Sequence, residues 1–165
     1  RAIAKLGTRA ANILYVLVGT GEYQSYLQAL ATELGVAEKV LFAGSQTGDE
    51  LVSTFYACDL YVHTPKVVHY NFEGFGIVYL EAGACAKPSI ATDAGGVRDA
   101  VVDGKTGIIV PDGNIDAIAD VIDRLVSNPV LARQMGEAGR LYAKEHDWSS
   151  IVDAFVSLYT QHVRT

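Results

Sequence analysis

A chain of 165 residues is long enough for one domain with a real core and too short for two of ordinary size. Half of the residues are hydrophobic and 19% are charged, a globular composition that excludes disordered and fibrous classes. The net charge of −6 argues against a broad nucleic-acid surface, and no apolar run approaches the roughly 20 residues of a membrane span.

The chain opens at Arg1 rather than Met and shows no secretory leader pattern, which points to an upstream segment that is removed or absent. Arg1–Leu6 reads as the end of a helix stopped by Gly7. Ile13–Val18 is a continuous apolar run ending in Gly19-Thr20-Gly21, the mark of a parallel strand buried on both faces. Glu22–Leu34 carries apolar residues at helical spacing, and Gly35 stops it. A short strand follows at Val40–Ala43. Thr47-Gly48-Asp49-Glu50 has the form of a capping box for a helix through Cys58.

Asp59–Thr64 is the next predicted strand, closed by Pro65. Helix Ile77–Ala86, strand Ser89–Thr92, a short helix Val97–Val102 and strand Gly107–Val110 come after it, punctuated by Lys87-Pro88, Asp93-Ala94-Gly95-Gly96 and Asp103-Gly104. From Asn114 the chain is helical, over Ile115–Ser127, Val130–Glu145 and Ser149–Val163. Strands alternating with helices predict an α/β, Rossmann-like doubly wound sheet. We assign residues 1–147 to this unit and 148–165 to a C-terminal helix of the same unit. Cys58 and Cys85 fall in apolar helix positions without metal-like spacing, so buried, reduced thiols and a cytoplasmic location are expected.

In such sheets ligands bind at the carboxyl ends of the strands, and the glycine-rich loops here fall there. The stretch Asn71–Ala86 contains Glu73-Gly74-Phe75-Gly76 before an apolar helix. Two glycines let the backbone turn tightly and present free amides at the positive end of a helix, which favours phosphate. Glu73 either accepts from sugar hydroxyls or simply caps that helix. Glu81, among apolar helix neighbours, either binds a vicinal diol such as ribose or faces solvent. Asp93-Ala94-Gly95-Gly96 is either a ligand contact or plain sheet architecture. Gly19-Thr20-Gly21 lacks the third glycine of a dinucleotide fingerprint, Gln24 standing in its place, and no P-loop or nucleophile elbow is present. His63 and His69 have no third ligand at metal spacing.

The ordered series Glu73-Gly-Phe-Gly-Ile-x-x-Leu-Glu81-Ala, Ala84-Cys-Ala-Lys-Pro-x-Ile-Ala-Thr-Asp-x-Gly-Gly96 and Asp103-Gly104-x-x-Gly107-x-x-Val110 resembles the group 1 retaining glycosyltransferases of the two-Rossmann-domain (GT-B) fold. Val18-Gly19-x-Gly21, Asp59-Leu60-Tyr61-Val62, Met135-x-x-x-Gly139-Arg140 and Asp147-Trp148 extend the likeness over nearly the whole chain. The resemblance implies the C-terminal, nucleotide-sugar-binding half of such an enzyme. Glu73 would then be the catalytic-site carboxylate that meets the donor sugar, and the backbone of Gly74, Phe75, Gly76 and Ile77 would meet sugar and diphosphate. Glu81 would hold the ribose with Leu80 nearby, and Gly44, Ser45, Gln46 and Thr47 would seat the nucleobase.

The implied reaction transfers a glycosyl group from a nucleoside-diphosphate sugar to an acceptor hydroxyl with retention, using no metal or other cofactor. Three departures qualify the resemblance. The family's N-terminal acceptor domain is not in the sequence. Arg1 and Lys5 fall too late in their helix to be the cations that neutralise the donor diphosphate. The strand that opens this half in the family also precedes Arg1. In a 3-2-1-4-5-6 order that strand would lie between Ile13–Val18 and Asp59–Thr64, so both neighbours should carry unpaired edges. An isolated chain incapable of turnover is therefore expected, within a parent that is cytoplasmic or peripheral at the inner membrane surface. A non-catalytic nucleotide- or sugar-binding module and a nucleoside-diphosphate-sugar epimerase are the competing readings.

Overall fold

The computed structural model describes residues 1–67 and 72–163. His69 and Asn71, named in the sequence reading, lie outside the described residues. In chain order the elements are α1 (Ala2–Leu6), β1 (Tyr15–Val18), α2 (Gln24–Glu33), β2 (Val40–Gly44), α3 (Gly48–Ala57) and β3 (Tyr61–His63). Then come α4 (Ile77–Ala84), β4 (Ser89–Thr92), α5 (Val97–Ala100), β5 (Gly107–Val110), α6 (Ile115–Val126), α7 (Pro129–Glu145) and α8 (Trp148–Val163). Each predicted element is present, several of them a residue or two shorter than the apolar pattern suggests.

The helix starts differ in quality. Asn114 accepts from the Ala117 amide at 3.0 Å and Asn128 from the Leu131 amide at 3.0 Å, while Pro129 occupies the first turn of α7. The capping box expected at Thr47–Glu50 does not form. Thr47 is the N-cap but its side chain makes no capping bond, because Gly48 enters α3 at φ 55, off the path that would bring the first amides to the hydroxyl.

Among the described residues all strand pairs are parallel, as expected from alternation of strand and helix, but they form two sheets. One has the order β1-β2, running from Tyr15 opposite Val40 to Val18 opposite Gly44. The other has the order β3-β4-β5, with Tyr61 opposite Ser89 and Ser89 opposite Gly107. The sequence of strands is that expected for 3-2-1-4-5-6 with its third place left open. Among the described residues β1 pairs only with β2, and β3 only with β4, so each keeps the free edge anticipated above.

Burial follows this division. Every residue of β4 is buried, and its alternating side chains feed two cores. Ile90 packs with Leu6, Ala10, Ala119, Ile122, Leu125 and Met135, so α1, α6 and α7 cover one face. Ala91 packs with Tyr79, Val97, Ala100 and Val101, placing α4 and α5 on the other. Helix α7 also crosses α4 at backbone contact: a Cβ on Gly136 would sit 2.0 Å from the Ala86 carbonyl oxygen, and one on Gly83 2.9 Å from that of Gly139. Between Ala11 and Ala57, by contrast, only Ala31 and Phe55 are buried.

Two expectations about the surface change. Cys58 and Cys85 are half-buried residues at the C-caps of α3 and α4, not members of the helix core. Desolvation still pushes both thiols up, which keeps them protonated. Helix α8 is exposed along its length, including Trp148, Phe155 and Tyr159, and no helix of the described residues is long and apolar enough to cross a membrane.

Candidate functional site

The turn before α4 is held from behind by the loop between β4 and α5. The Gly96 amide donates to the Glu73 carbonyl at 2.8 Å. A Cβ on Gly95 would lie 2.1 Å from the Glu73 carbonyl oxygen, and one on Gly96 1.9 Å from that of Gly74. Only glycine lets the two backbones meet so closely. Of the two roles open for Asp93-Ala94-Gly95-Gly96, the geometry favours architecture. The Asp93 carboxylate is itself occupied by Arg98, whose Nε and Nη2 donate at 2.9 and 2.7 Å and hold the carboxyl below its usual range.

Gly76 completes the turn in the left-handed region, at φ 86, and is the N-cap of α4. The Tyr79 amide donates back to the Gly76 carbonyl at 2.9 Å, and the amides of Ile77 and Val78, ahead of it, have no carbonyl four residues back within the helix. At the carboxyl ends of β1 and β3 an open cavity of about 550 Å³ is lined by Val18, Tyr61, His63, Glu73, Phe75, Gly76, Ile77 and Val78. Val18 closes β1, and Tyr61 and His63 belong to β3, so the cavity spans the ends of the two unjoined sheets. The Glu73 carboxylate lies 3.2 Å from His63 Nε2. The Tyr79 hydroxyl donates to the His63 carbonyl at 2.8 Å, and the Tyr61, His63 and Tyr79 rings pack together. Burial raises both phenols, the Glu81 and Glu73 charges adding to the effect at Tyr61 and that of Glu73 at Tyr79.

Among the described residues the cavity lining contains no lysine or arginine. Several cations of the described residues are engaged in the scaffold. Lys5 pairs with Asp116, and Arg9 with Asp123 at 2.7 Å, tying α1 and the turn after it to α6. Lys39 donates to the Ala10 carbonyl at 2.7 Å and Lys87 to that of Tyr56 at 2.9 Å. Among the described residues no three His, Cys, Asp or Glu side chains gather as a metal site. A second cleft, of about 370 Å³, has Glu22, Tyr23 and Tyr26 as its lining and brings no second element to them.

Of the residues singled out in the sequence, Glu73, Phe75, Gly76 and Ile77 come together in the cavity, with Gly74 in the same turn. Leu80 and Glu81 sit further along α4 and are not part of the lining. Glu81 is exposed, so the burial that would demand a bound partner does not exist, although its charge is felt at Tyr61. Gly44–Thr47 follows β2 and also stands outside the lining. There Gly44 accepts from the Gly19 amide at 2.7 Å, and Gln46 accepts from the Thr54 hydroxyl at 2.7 Å. Sequence reasoning missed His63, Tyr61 and Val18 as members of the site. The available signal was positional: a histidine two residues after a tyrosine, on one face of a strand, at its carboxyl end.

Comparison with known proteins points the same way. The sequence model described as glycosyl transferases group 1 matches residues 1–142. The chain is 37% identical over 148 residues to a GDP-mannose-dependent alpha-(1-6)-phosphatidylinositol monomannoside mannosyltransferase of Mycolicibacterium smegmatis, covering 88% of this chain and 39% of that protein. Among solved structures, Anabaena HepE in complex with UDP-glucose superposes with a TM-score of 0.84 at 26% identity, over 97% of this chain and 43% of that one. Sucrose-phosphate synthase of Thermosynechococcus elongatus gives a TM-score of 0.76 at 29% identity, over 97% and 42%. The chain thus spans about two fifths of the length of each of these three proteins.

Proposed function

The chain belongs to the group 1 glycosyltransferases, and we propose that it is the donor-binding half of such an enzyme, holding a nucleoside-diphosphate sugar for transfer to an acceptor hydroxyl with retention of configuration. The observation that carries this reading is the cavity at the carboxyl ends of β1 and β3, where the Glu73 carboxylate and the first turn of α4 share one wall. The HepE complex with UDP-glucose supports a donor of that class.

In this reading the diphosphate lies against the amides of Gly76 and Ile77, where unpaired donors and the helix dipole favour negative charge. Glu73 accepts hydroxyls of the donor sugar, with the backbone of Gly74 and Phe75 beside it. Glu81, exposed on α4, accepts the ribose hydroxyls with Leu80 nearby, and Gly44–Thr47 borders the base. No metal is required, because bound amides and a second domain supply the electrostatics. Among the described residues the cavity lining holds no Lys or Arg to offset a diphosphate, which would leave its charge undercompensated there. Turnover then needs cations and an acceptor face from the longer polypeptide implied by the relatives' length, at the cytoplasmic side of a membrane or in the cytoplasm. The chain alone binds donor and does not turn it over.

Calorimetric titration with UDP, GDP and ADP tests the reading. At least one should bind, and Glu81→Ala should weaken it by about 1–3 kcal/mol if charged hydrogen bonds to ribose are lost. A folded chain that binds none of the three, or one that turns over a nucleoside-diphosphate sugar unaided, would refute it.

A further inference from the structure

We propose that His63 is a positioning residue for Glu73, holding one carboxylate oxygen so that the other is presented to the donor sugar. The proposal rests on the reading of Glu73 as the sugar-side group. A carboxylate accepts hydrogen bonds and donates none, so the 3.2 Å approach of His63 Nε2 to Glu73 Oε2 places the ring proton on Nε2. That bond occupies Oε2 and leaves Oε1 available to the cavity.

The surroundings distinguish this pair from an ordinary surface ion pair, in which two long side chains wander. His63 is the last residue of β3, and its backbone is in register with Ala91 of fully buried β4. Its carbonyl takes the Tyr79 hydroxyl at 2.8 Å. Its ring packs against Tyr61, at 6.3 Å and 28°, and Tyr79, at 5.5 Å and 54°, and the two tyrosines meet each other at 5.8 Å. Tyr79 is 2% exposed, so the ring is braced by a core residue. On the other side, the Glu73 backbone is fixed by the Gly96 amide. Both ends of the bond are anchored in the rigid part of the fold, while the side chains of His63 and Glu73 keep 39% and 25% of their exposure and remain open to the cavity. Without the imidazole, the Glu73 carboxylate would have no side-chain partner among the described residues and would be free to swing.

The test compares affinities for UDP-glucose against UDP, and GDP-mannose against GDP, in the 165-residue chain and its variants. The expected outcome is a preference of the native chain for a sugar-bearing form. His63→Ala should reduce that preference, taken as the ratio of the two affinities, by about tenfold. His63→Gln, which retains an N–H donor, should recover most of it. In nitrogen-15 spectra His63 should carry its proton on Nε2, and Glu73→Ala should release it to a tautomer mixture, a readout that needs no ligand and no destabilised histidine variant. If Glu73→Ala abolishes the preference while His63→Ala keeps it, positioning is overturned and the role of Glu73 stands. If glutamine recovers nothing, or the native tautomer is Nδ1–H, the hydrogen bond is not the device. If the native chain shows no preference, or Glu73→Ala retains it, the sugar-side reading fails and this proposal with it.

Discussion

Residues 11–57 and residues 58–146 have similar alternations of strand and helix, yet the two regions are built to different standards. In the second, β4 has neighbours on both edges and cores on both faces. In the first, among the described residues β1 and β2 pair only with each other, and Leu41 on β2 is 50% exposed. An apolar strand contributes stability only when something covers it. The same kind of sequence run therefore yields a rigid wall in one region and a lightly attached flap in the other, and the candidate site lies where they meet.

The sharpest way to break this comparison is paired truncation. Ile90→Ala, at a position with no exposure, should cost about 2–5 kcal/mol in urea unfolding. Leu41→Ala should cost less than about 1 kcal/mol, because much of its surface is already in water. Equal losses would show that the first region shares the core. Amide exchange gives the next largest contrast: amides of β1 and β2 should exchange at least about a hundredfold faster than those of β4, through local opening. Third, Gly96→Ala should cost about 1–3 kcal/mol in thermal unfolding and also displace Glu73, since the new methyl meets the Gly74 carbonyl. The smallest contrast concerns helix starts. Asn128→Ala should cost about 1 kcal/mol and Thr47→Ala less than about 0.5 kcal/mol, because only Asn128 makes a capping bond.

Element order, parallel pairing and the open place between β1 and β3 were legible in the sequence, since apolar runs, glycine stops and strand order all act locally or by family likeness. The Glu73–Ile77 turn was legible for the same reason. What escaped were relations between distant residues. Nothing local tells that Gly95 and Gly96 touch the carbonyls of Glu73 and Gly74, or that His63 meets Glu73. For Glu81 the sequence left two roles open, because apolar neighbours along a helix do not tell which way a given position faces; its exposure removes the argument from burial and leaves the ribose role as a proposal. The capping box at Thr47 failed because matching residue types do not guarantee the backbone angle they need.

The abutment of Gly95 and Gly96 on the Glu73 turn also bears on redesign. An attempt to re-aim the pocket toward another sugar would naturally randomise the loops that border it. Positions 95 and 96 are closed to that strategy: their would-be side chains collide with carbonyl oxygens, which no partner substitution at 73 or 74 can remove. Useful diversity is confined to side chains that face the cavity, such as Val18, Phe75 and Ile77. A library that spares the glycine pair and varies those three would search ligand choice without spending its members on misfolded loops.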